Sequence, residues 1–392
     1  MVPNDLSHSA EHNPRSTTSE ERSPSTSVKM SGTEAYDFIR KCISHRPESK
    51  RREALGPVIE AGIDWNTVCH EAARHGIRPL FFHTLERLFG DRIPSSLHNH
   101  IQEFQQRNRI HANFLIRELC KIRRRCEESD LPILALKGPV LSRAAYGDIA
   151  MRRYVDLDLH IPRERFSELD HLLKEMGYEY PKARKKIAGW RRTLFRALKG
   201  QWQFTRAEGA FELDVHTRLM PPGYSLPSNF DLFWERSRMI QLDDDIAVPG
   251  LAPEDSVLVL SYHGVKNQWR SLKYVADLAQ LLRTETALNW SSLIEHAQKI
   301  RATRVLGLGL SLAHGVLDMP IPTEIQKWMP RTPTDEARSV LQSYLRNRDK
   351  RSRLDFRKRV QLQLATKDTV ADTIRHGAYS MMQHLWSTVL KP

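Results

Sequence analysis

Two short segments, 154–161 and 211–216, alternate apolar residues with acids and histidines. Their polar positions are Asp156, Asp158 and His160 in the first segment, and Glu212, Asp214 and His216 in the second. Alternate side chains of a β-strand point to the same face, so each segment predicts a strand with one apolar and one acidic face. Carboxylates that share a face repel each other unless a metal ion, a cationic side chain or solvent compensates them.

Acids that converge from two such strands would form a site rich in carboxylate oxygens. Mg²⁺ favours such ligands, usually keeps several waters, and is completed by substrate phosphates. Two ions about 4 Å apart can activate an attacking oxygen and stabilise a leaving pyrophosphate. The pattern therefore predicts nucleotidyl transfer at Asp156, Asp158 and one acid of the second segment, and alternation leaves the choice between Glu212 and Asp214 open. In the simpler interpretation, the acids pair with Arg152, Arg153 or a basic segment.

A phosphate-binding turn is predicted just before the first acidic segment. Lys137 and Gly138 follow a short apolar run, 132–136, that suits a buried strand, and Pro139 is well placed to begin a helix. Glycine allows close backbone approach, and a helix N-terminus presents free N–H groups to an anion. Arg152 can hold phosphate oxygens or pair with the nearby acids.

Helical patterns surround these segments and predict an α+β protein. Apolar residues recur at helical spacing before residue 127, over 164–176, and from 253 onwards. The segment 201–216 reads as a hairpin, since its two alternating halves are separated by a turn at 207–210. We expect a small mixed sheet flanked by N-terminal and C-terminal helical regions.

Composition narrows the class of protein. The 392 residues include 40% apolar and 27% charged residues and carry a net charge of +13, which favours polyanionic partners. The absence of a long apolar run and of a signal peptide predicts a cytoplasmic protein without a membrane span. The four cysteines have no C-x-x-C spacing, which argues against a disulfide framework and a zinc site.

Two basic segments could contact nucleic acid. Segment 182–206 has nine Lys or Arg and no acid, with aromatic residues interleaved, and 346–359 has eight basic residues against two acids. Aromatic side chains among cations can stack on bases. Solvated or salt-bridged helix surface explains both segments slightly better.

The motifs resemble a largely uncharacterised bacterial family of the polymerase-β-type nucleotidyltransferase superfamily. The resemblance rests on Leu136-Lys-Gly-Pro-Val-Leu, Tyr146, Arg152, Asp156-Leu-Asp-Leu and Leu213-Asp-Val-His216. It extends to flanking features between about residues 35 and 320, among them Ala73-Arg-His-Gly-Ile, Tyr262-His-Gly and Asp277-Leu-Ala. One departure is Pro139, because the superfamily more often has Gly-Ser or Gly-Gly at this turn, and proline removes a backbone donor.

The resemblance implies a metal-dependent enzyme that transfers a nucleoside monophosphate from an NTP to an unidentified acceptor and releases pyrophosphate. It implies Asp156, Asp158 and Asp214 as catalytic Mg²⁺ ligands, in a site for two ions, and Lys137, Gly138, Arg152 and Lys273 as nucleotide-binding residues. It thereby selects Asp214 over Glu212, while His160 and His216 are expected to orient acids through hydrogen bonds. The alternative is a degenerate nucleotidyltransferase fold that only binds nucleotide or nucleic acid. The oligomeric state is left open.

Five regions follow from these patterns. They are a disordered tail (1–32), an N-terminal helical region (33–130), a catalytic core (131–250), a helical lobe (251–320) and a basic helical C-terminal region (321–392).

Overall fold

The computed structural model describes residues 29–180, 200–206, 211–329, 335–346 and 356–389. A six-stranded mixed sheet has the strand order β3-β4-β2-β1-β6-β5. The strands are β1 (Leu134–Ala135), β2 (Asp156–His160), β3 (Gln201–Arg206), β4 (Phe211–His216), β5 (Arg238–Asp243) and β6 (Ile246–Gly250). β2 runs parallel to β4 and antiparallel to β1, and β1 runs parallel to β6. The expected α+β class with a small mixed sheet is confirmed.

Helices precede, interrupt and follow the sheet. The first group is α1 (Gly32–Ile43), α2 (Glu48–Glu60), α3 (Trp65–Arg74), α4 (Arg78–Phe89) and α5 (Ser95–Glu128). Between strands lie α6 (Gly138–Tyr146), α7 (Phe166–Glu175) and α8 (Asp231–Trp234). The last group is α9 (Pro253–Lys266), α10 (Leu272–Thr284), α11 (Trp290–Lys299), α12 (Thr303–Leu317), α13 (Thr323–Trp328), α14 (Asp335–Arg346), α15 (Phe356–Ala365) and α16 (Val370–Val389).

The apolar face of the sheet packs on α5 and α7. Leu157, Leu159 and Leu213 are fully or almost fully buried there, together with Leu119 of α5 and Leu173 of α7. Burial of apolar area contributes roughly 25 cal/mol per Å² to the free energy of folding. The apolar side of each strand therefore faces the core. The acidic side chains are thereby directed to the opposite face, where α9 and α10 lie.

A second apolar core joins the helices before the sheet to those after it. Phe38 and Ile39 of α1 belong to the same buried cluster as Leu306 and Leu310 of α12. The backbone N–H of His45, just after α1, donates a 2.7 Å hydrogen bond to the carbonyl of Leu317. The N-terminal and C-terminal helices therefore stabilise each other directly.

The predicted elements differ in places from those observed. The hairpin of β3 and β4 and the helix within 164–176 are confirmed, and α6 begins one residue earlier than expected, at Gly138. The apolar run 132–136 contributes a strand only at residues 134–135. The sequence analysis did not identify β5 and β6, since Pro249 normally argues against a strand paired on both sides.

β6 accommodates this proline because its pairing is incomplete. Ladder partners join β6 to β1 only at Gly250, which lies opposite Ala135, while Pro249 pairs with Met239 on the β5 side. A Cβ atom at position 250 would lie 2.9 Å from Ile240 and 3.1 Å from Val140. The close approach of these side chains explains the glycine.

Among the described residues, none of the helices combines the length and apolarity needed to cross a membrane. Residues 1–28, most of the predicted tail, lie outside the described part of the chain. α1 begins beside Ser31, whose hydroxyl accepts a hydrogen bond from the Glu34 N–H while the Glu34 carboxylate accepts one from the Ser31 N–H. The five regional boundaries stay predictions.

Candidate active site

The parallel pairing of β2 and β4 brings the two acidic faces side by side. In the register of these strands Asp158 lies opposite Asp214, and Asp156 lies opposite Glu212. Equivalent positions of parallel partners share a face, so the carboxylates of Asp158 and Asp214 are directed to the same side of the sheet. Asp156 lies two residues earlier on the same face of β2 and is more exposed than Asp158.

Asp158, Asp214 and His216 form a compact group with one potential ligand atom each. These three atoms all lie within 4.8 Å of one another. His216 Nε2 donates to Asp158 Oδ1 at 3.0 Å, which is the acid-orienting bond expected from the sequence. The same expectation is wrong for His160, which is fully buried and whose Nδ1 bonds to the backbone carbonyl of His216 at 2.9 Å. Gln201 of β3 donates to Asp214 Oδ2 at 2.7 Å, a contact for which the sequence offered no signal beyond the hairpin itself.

The ammonium group of Lys137 also contacts this group. Its Nζ donates to Asp158 Oδ1 at 3.1 Å, and both side chains are largely buried. Burial alone would raise the pKa of Asp158, but the Lys137 charge and the His216 hydrogen bond outweigh it and hold that pKa well below its usual range. Burial, together with the charges of Asp158 and Asp156, raises the pKa of Asp214.

The turn at Lys137 and Gly138 packs tightly against the start of β2. Gly138 has φ +56°, and a Cβ atom there would lie 3.2 Å from the carbonyl oxygen of Asp156. Glycine is therefore required both by the left-handed backbone and by the close approach of β2. The turn therefore brings the start of α6 against the backbone of β2. Its role in binding phosphate stays a prediction.

α9 and α10 supply cationic and imidazole groups on the side of the cleft opposite the sheet. Lys273 Nζ donates to the carbonyl of Arg153 at 3.2 Å. Burial and the charge of Arg152 lower the pKa of Lys273 to about 8, although the acids Asp277 and Asp156 oppose the change. Burial and the charge of Lys137 hold the pKa of His263 well below its usual value.

Arg152 has a partner that the sequence analysis did not identify. Its Nε donates to both carboxylate oxygens of Asp277 in α10, at 3.1 and 3.0 Å, and Tyr146 donates to the same carboxylate at 2.7 Å. Arg152 is 7% exposed and Asp277 is 2% exposed. Asp277 thus ties α10 to the end of α6 and to the segment that leads into β2. The phosphate-binding role of Arg152 stays a prediction.

The basic segments 182–206 and 346–359 lie largely outside the described residues. Two of their described side chains make ion pairs. Arg206 contacts the buried Glu118 at 2.5 Å, and Arg346 contacts Asp37 at 2.7 Å. Nucleic-acid binding by these segments stays a prediction.

Comparisons with known proteins identify the family. A family model described as an uncharacterised nucleotidyltransferase matches residues 61–318, about two thirds of the 392 residues. No curated protein matches the sequence. Among solved structures, the solution structure of the antibiotic-resistance factor ANT(2'')-Ia is similar, with 15% identity and a TM-score of 0.33 over 52% of this chain and 98% of that one. The family match is sufficient to conclude that this chain belongs to the uncharacterised nucleotidyltransferase family and is a transferase.

Proposed function

We propose that the protein transfers a nucleoside monophosphate from an NTP to an acceptor hydroxyl or phosphate in the cleft between the sheet and α10. The acceptor oxygen forms a bond to the α-phosphorus, the bond from that phosphorus to the bridging oxygen breaks, and pyrophosphate leaves. The observation that carries this proposal is the adjacency of Asp158, Asp214 and His216 on paired parallel strands, with Lys137 at the same carboxylate.

The two carboxylates of Asp158 and Asp214 suit a divalent cation because the described hydrogen bonds use only one oxygen of each. Within the described residues, the hydrogen bonds to Asp158 use Oδ1, and the one to Asp214 uses Oδ2. The second oxygen of each can therefore bind Mg²⁺ without disturbing these bonds. Asp158 and Asp214 would hold the metal with Asp156 completing the site, and His216 would orient Asp158 from behind. Bound Mg²⁺ would supply charge stabilisation for the attacking oxygen and the leaving pyrophosphate.

The remaining residues divide between phosphate binding and proton removal. Lys137 contacts Asp158, and Lys273 lies close enough to Asp156 to be influenced by its charge. We propose that these two ammonium groups and the N–H groups at Gly138 bind the triphosphate. Arg152 is held by Asp277 through Nε, which leaves its terminal nitrogens to support the same anion. Asp214 is proposed to accept the proton of the acceptor.

The test is incubation of the full chain with each of the four labelled NTPs, Mg²⁺ and a cell extract. Wild type is expected to form a labelled product that is absent with Asp158→Asn and with Asp214→Asn, because each change removes a metal-binding charge. Asp245→Asn is the matched control, since Asp245 is an exposed residue of the β5–β6 turn. A wild-type protein that binds neither Mg²⁺ nor any NTP contradicts the proposal.

A non-catalytic binding module would behave differently. It would bind nucleic acid in a strongly salt-dependent manner, because displaced counterions drive such binding. Its affinity would be indifferent to Asp158→Asn and Asp214→Asn. The same variants therefore separate the two functions.

A further inference from the structure

A groove of about 650 Å³ lies between α4, α5 and the loop that follows α6. Five side-chain amides line it, from Asn99, Gln102, Gln105, Gln106 and Asn108. We call this feature the amide groove. No residue of the groove belongs to the carboxylate group on β2 and β4, so the nucleotidyl-transfer site does not account for it.

The amide groove is close to electrically neutral in an otherwise basic protein. Its Arg109 is paired with its Asp148 at 2.6 Å, and its Glu103 is paired with the neighbouring Arg107 at 3.2 Å. A chain of net charge +13 that bound a polyanion here would be expected to line the groove with Lys and Arg. The charge of the groove therefore argues against a nucleic acid or a phosphorylated ligand at this position.

Three of the amides are held in fixed orientations by bonds to their nitrogens. Gln102 and Gln105 each donate to the carboxylate of Glu86, at 2.8 and 2.9 Å, and Asn108 donates to the carbonyl of Ala150 at 2.7 Å. These bonds leave the amide oxygen of each side chain available to a ligand, together with one further N–H of Gln102 and of Gln105. Preoriented acceptor oxygens favour a ligand that brings several hydrogen-bond donors, and preorientation lowers the entropy lost on binding.

Two short chain segments connect the amide groove to the proposed NTP site. Lys273 donates to the carbonyl of Arg153, and Met151, two residues earlier, lines the groove. Lys273 also lies against Gly76, where a Cβ atom would be 3.3 Å from the lysine Cδ, and Pro79, three residues later, lines the groove. Three residues extend no further than about 11 Å. The groove therefore opens within a small molecule's length of Lys273.

We propose that the amide groove binds the acceptor, and that the acceptor is an uncharged, hydroxyl-rich molecule of the carbohydrate or polyol class. This inference rests on the proposed nucleotidyl transfer, since it assigns the second substrate of the same reaction. The reacting hydroxyl would extend past residues 151–153 towards the carboxylates, while other hydroxyls donate to the amide oxygens.

The first experiment separates acceptor classes by charge. Labelled NTPs, Mg²⁺ and the full chain are incubated with three fractions of a cell extract: small molecules that pass through both anion and cation exchangers, small molecules retained by either exchanger, and RNA. Label incorporated with the unretained fraction supports the proposal. Treatment of that fraction with periodate before the incubation should abolish the product, because periodate cleaves vicinal diols. Label confined to the retained or RNA fractions overturns the acceptor class but leaves nucleotidyl transfer intact. Label in none of these fractions and none in the unfractionated extract overturns nucleotidyl transfer itself.

The second experiment places the acceptor in the groove. Asn99 and Gln106 are exposed on α5, so their replacement by alanine should leave the fold unchanged. We expect Asn99→Ala/Gln106→Ala to raise the apparent KM for the unretained acceptor fraction about tenfold. This is the effect expected for the loss of two neutral hydrogen bonds. KM for the NTP should stay within about twofold of wild type, since the groove and the triphosphate site are separate. Gln298→Ala, on the exposed surface of α11, is the matched control.

A charge variant decides between a neutral and an anionic acceptor. Gln106→Arg should raise KM for a hydroxyl-rich acceptor, because it fills part of the groove and replaces an amide. It should lower KM for an anionic acceptor through direct attraction. A lowered KM, or an unchanged KM in both groove variants, overturns the proposal.

Discussion

Replacement of Asp277 by asparagine should destabilise this protein far more than its small change in shape suggests. The substitution keeps the side-chain volume but removes the negative charge opposite Arg152. Both residues are almost fully buried, and Nε lies 3.1 and 3.0 Å from the two carboxylate oxygens. The change also turns the carboxylate that accepts the hydrogen bond of the Tyr146 hydroxyl into a neutral amide.

The magnitude follows from the cost of leaving a buried cation without its counter-charge. At 3 Å, two unit charges interact by about 5 kcal/mol with an effective dielectric constant near 20. Measured costs of removing one partner of a buried pair are about 3–5 kcal/mol. We therefore expect the free energy of unfolding of Asp277→Asn to fall by about 3–5 kcal/mol, a large part of the total stability of an ordinary domain.

The assay is equilibrium urea unfolding, with a matched surface pair as control. Lys50 and Glu53 lie 2.9 Å apart, but their side chains are 67% and 69% exposed. Glu53→Gln should therefore cost less than about 1 kcal/mol. The urea dependence of the unfolding free energy should be the same in both variants, so that the midpoints report stability alone.

A double-mutant cycle identifies the ion pair as the cause. Arg152→Met removes the cation, so Asp277→Asn should cost much less in the Arg152→Met background than in wild type. We expect a coupling energy above about 2 kcal/mol for these contacting residues. Additive effects, or an Asp277→Asn cost equal to that of Glu53→Gln, would show that the buried ion pair does not stabilise the fold.

Three further predictions concern stability. Burial, together with nearby cations, lowers the pKa of His45 and of His376 from 6.5 to about 4, so protonation favours the unfolded chain. Urea unfolding should show full stability above pH 6.5 and a decline between pH 6.5 and 4, by up to about 1.4 kcal/mol per pH unit for each histidine. His45→Gln should lessen this decline. Gly250→Ala should lower stability by about 1–3 kcal/mol through crowding of Ile240, seen as a lower Tm in thermal unfolding, and an unchanged Tm would contradict the packing argument. Ser31→Ala should cost about 1 kcal/mol by urea unfolding because α1 loses its capping hydroxyl, whereas an effect below the measurement error would show that this helix end contributes nothing.

The sequence predicted those features that local patterns encode. Alternation along 154–161 and 211–216 anticipated two strands with acidic faces, and the observed pairing sets Asp158 beside Asp214. Alternation carries no register, so the choice between Asp214 and Glu212 depended on family resemblance. The position of Lys137 just before a helix could be predicted from the sequence. Its bond to Asp158 could not, because it depends on the turn at Gly138 and on the pairing of β1 with β2.

Contacts between distant parts of the chain could not be predicted as pairs. Asp277 lies 125 residues after Arg152, and although both belong to the features that carry the family resemblance, nothing in the sequence indicates that they contact each other. The pairing of β5 and β6 was obscured by Pro249, which is tolerated because β1 meets β6 at Gly250 alone. In both cases tertiary contacts decide the role of a residue, and composition in the neighbourhood does not reveal them.

The shared core of α1 and α12 has a consequence for synthesis on the ribosome. His45 binds the carbonyl of Leu317, and Arg40 donates to the carbonyl of Val316 at 3.0 Å. About 270 residues separate these partners, and at roughly 5–20 residues per second their translation takes about 14–54 s. During that interval α1 can pack on α3 and α4, but the surface that later meets α12 stays open to chaperones, proteases and other nascent chains. The N-terminal helices of this enzyme therefore acquire their final environment only when elongation has passed α12, long after β2 and β4 have been made.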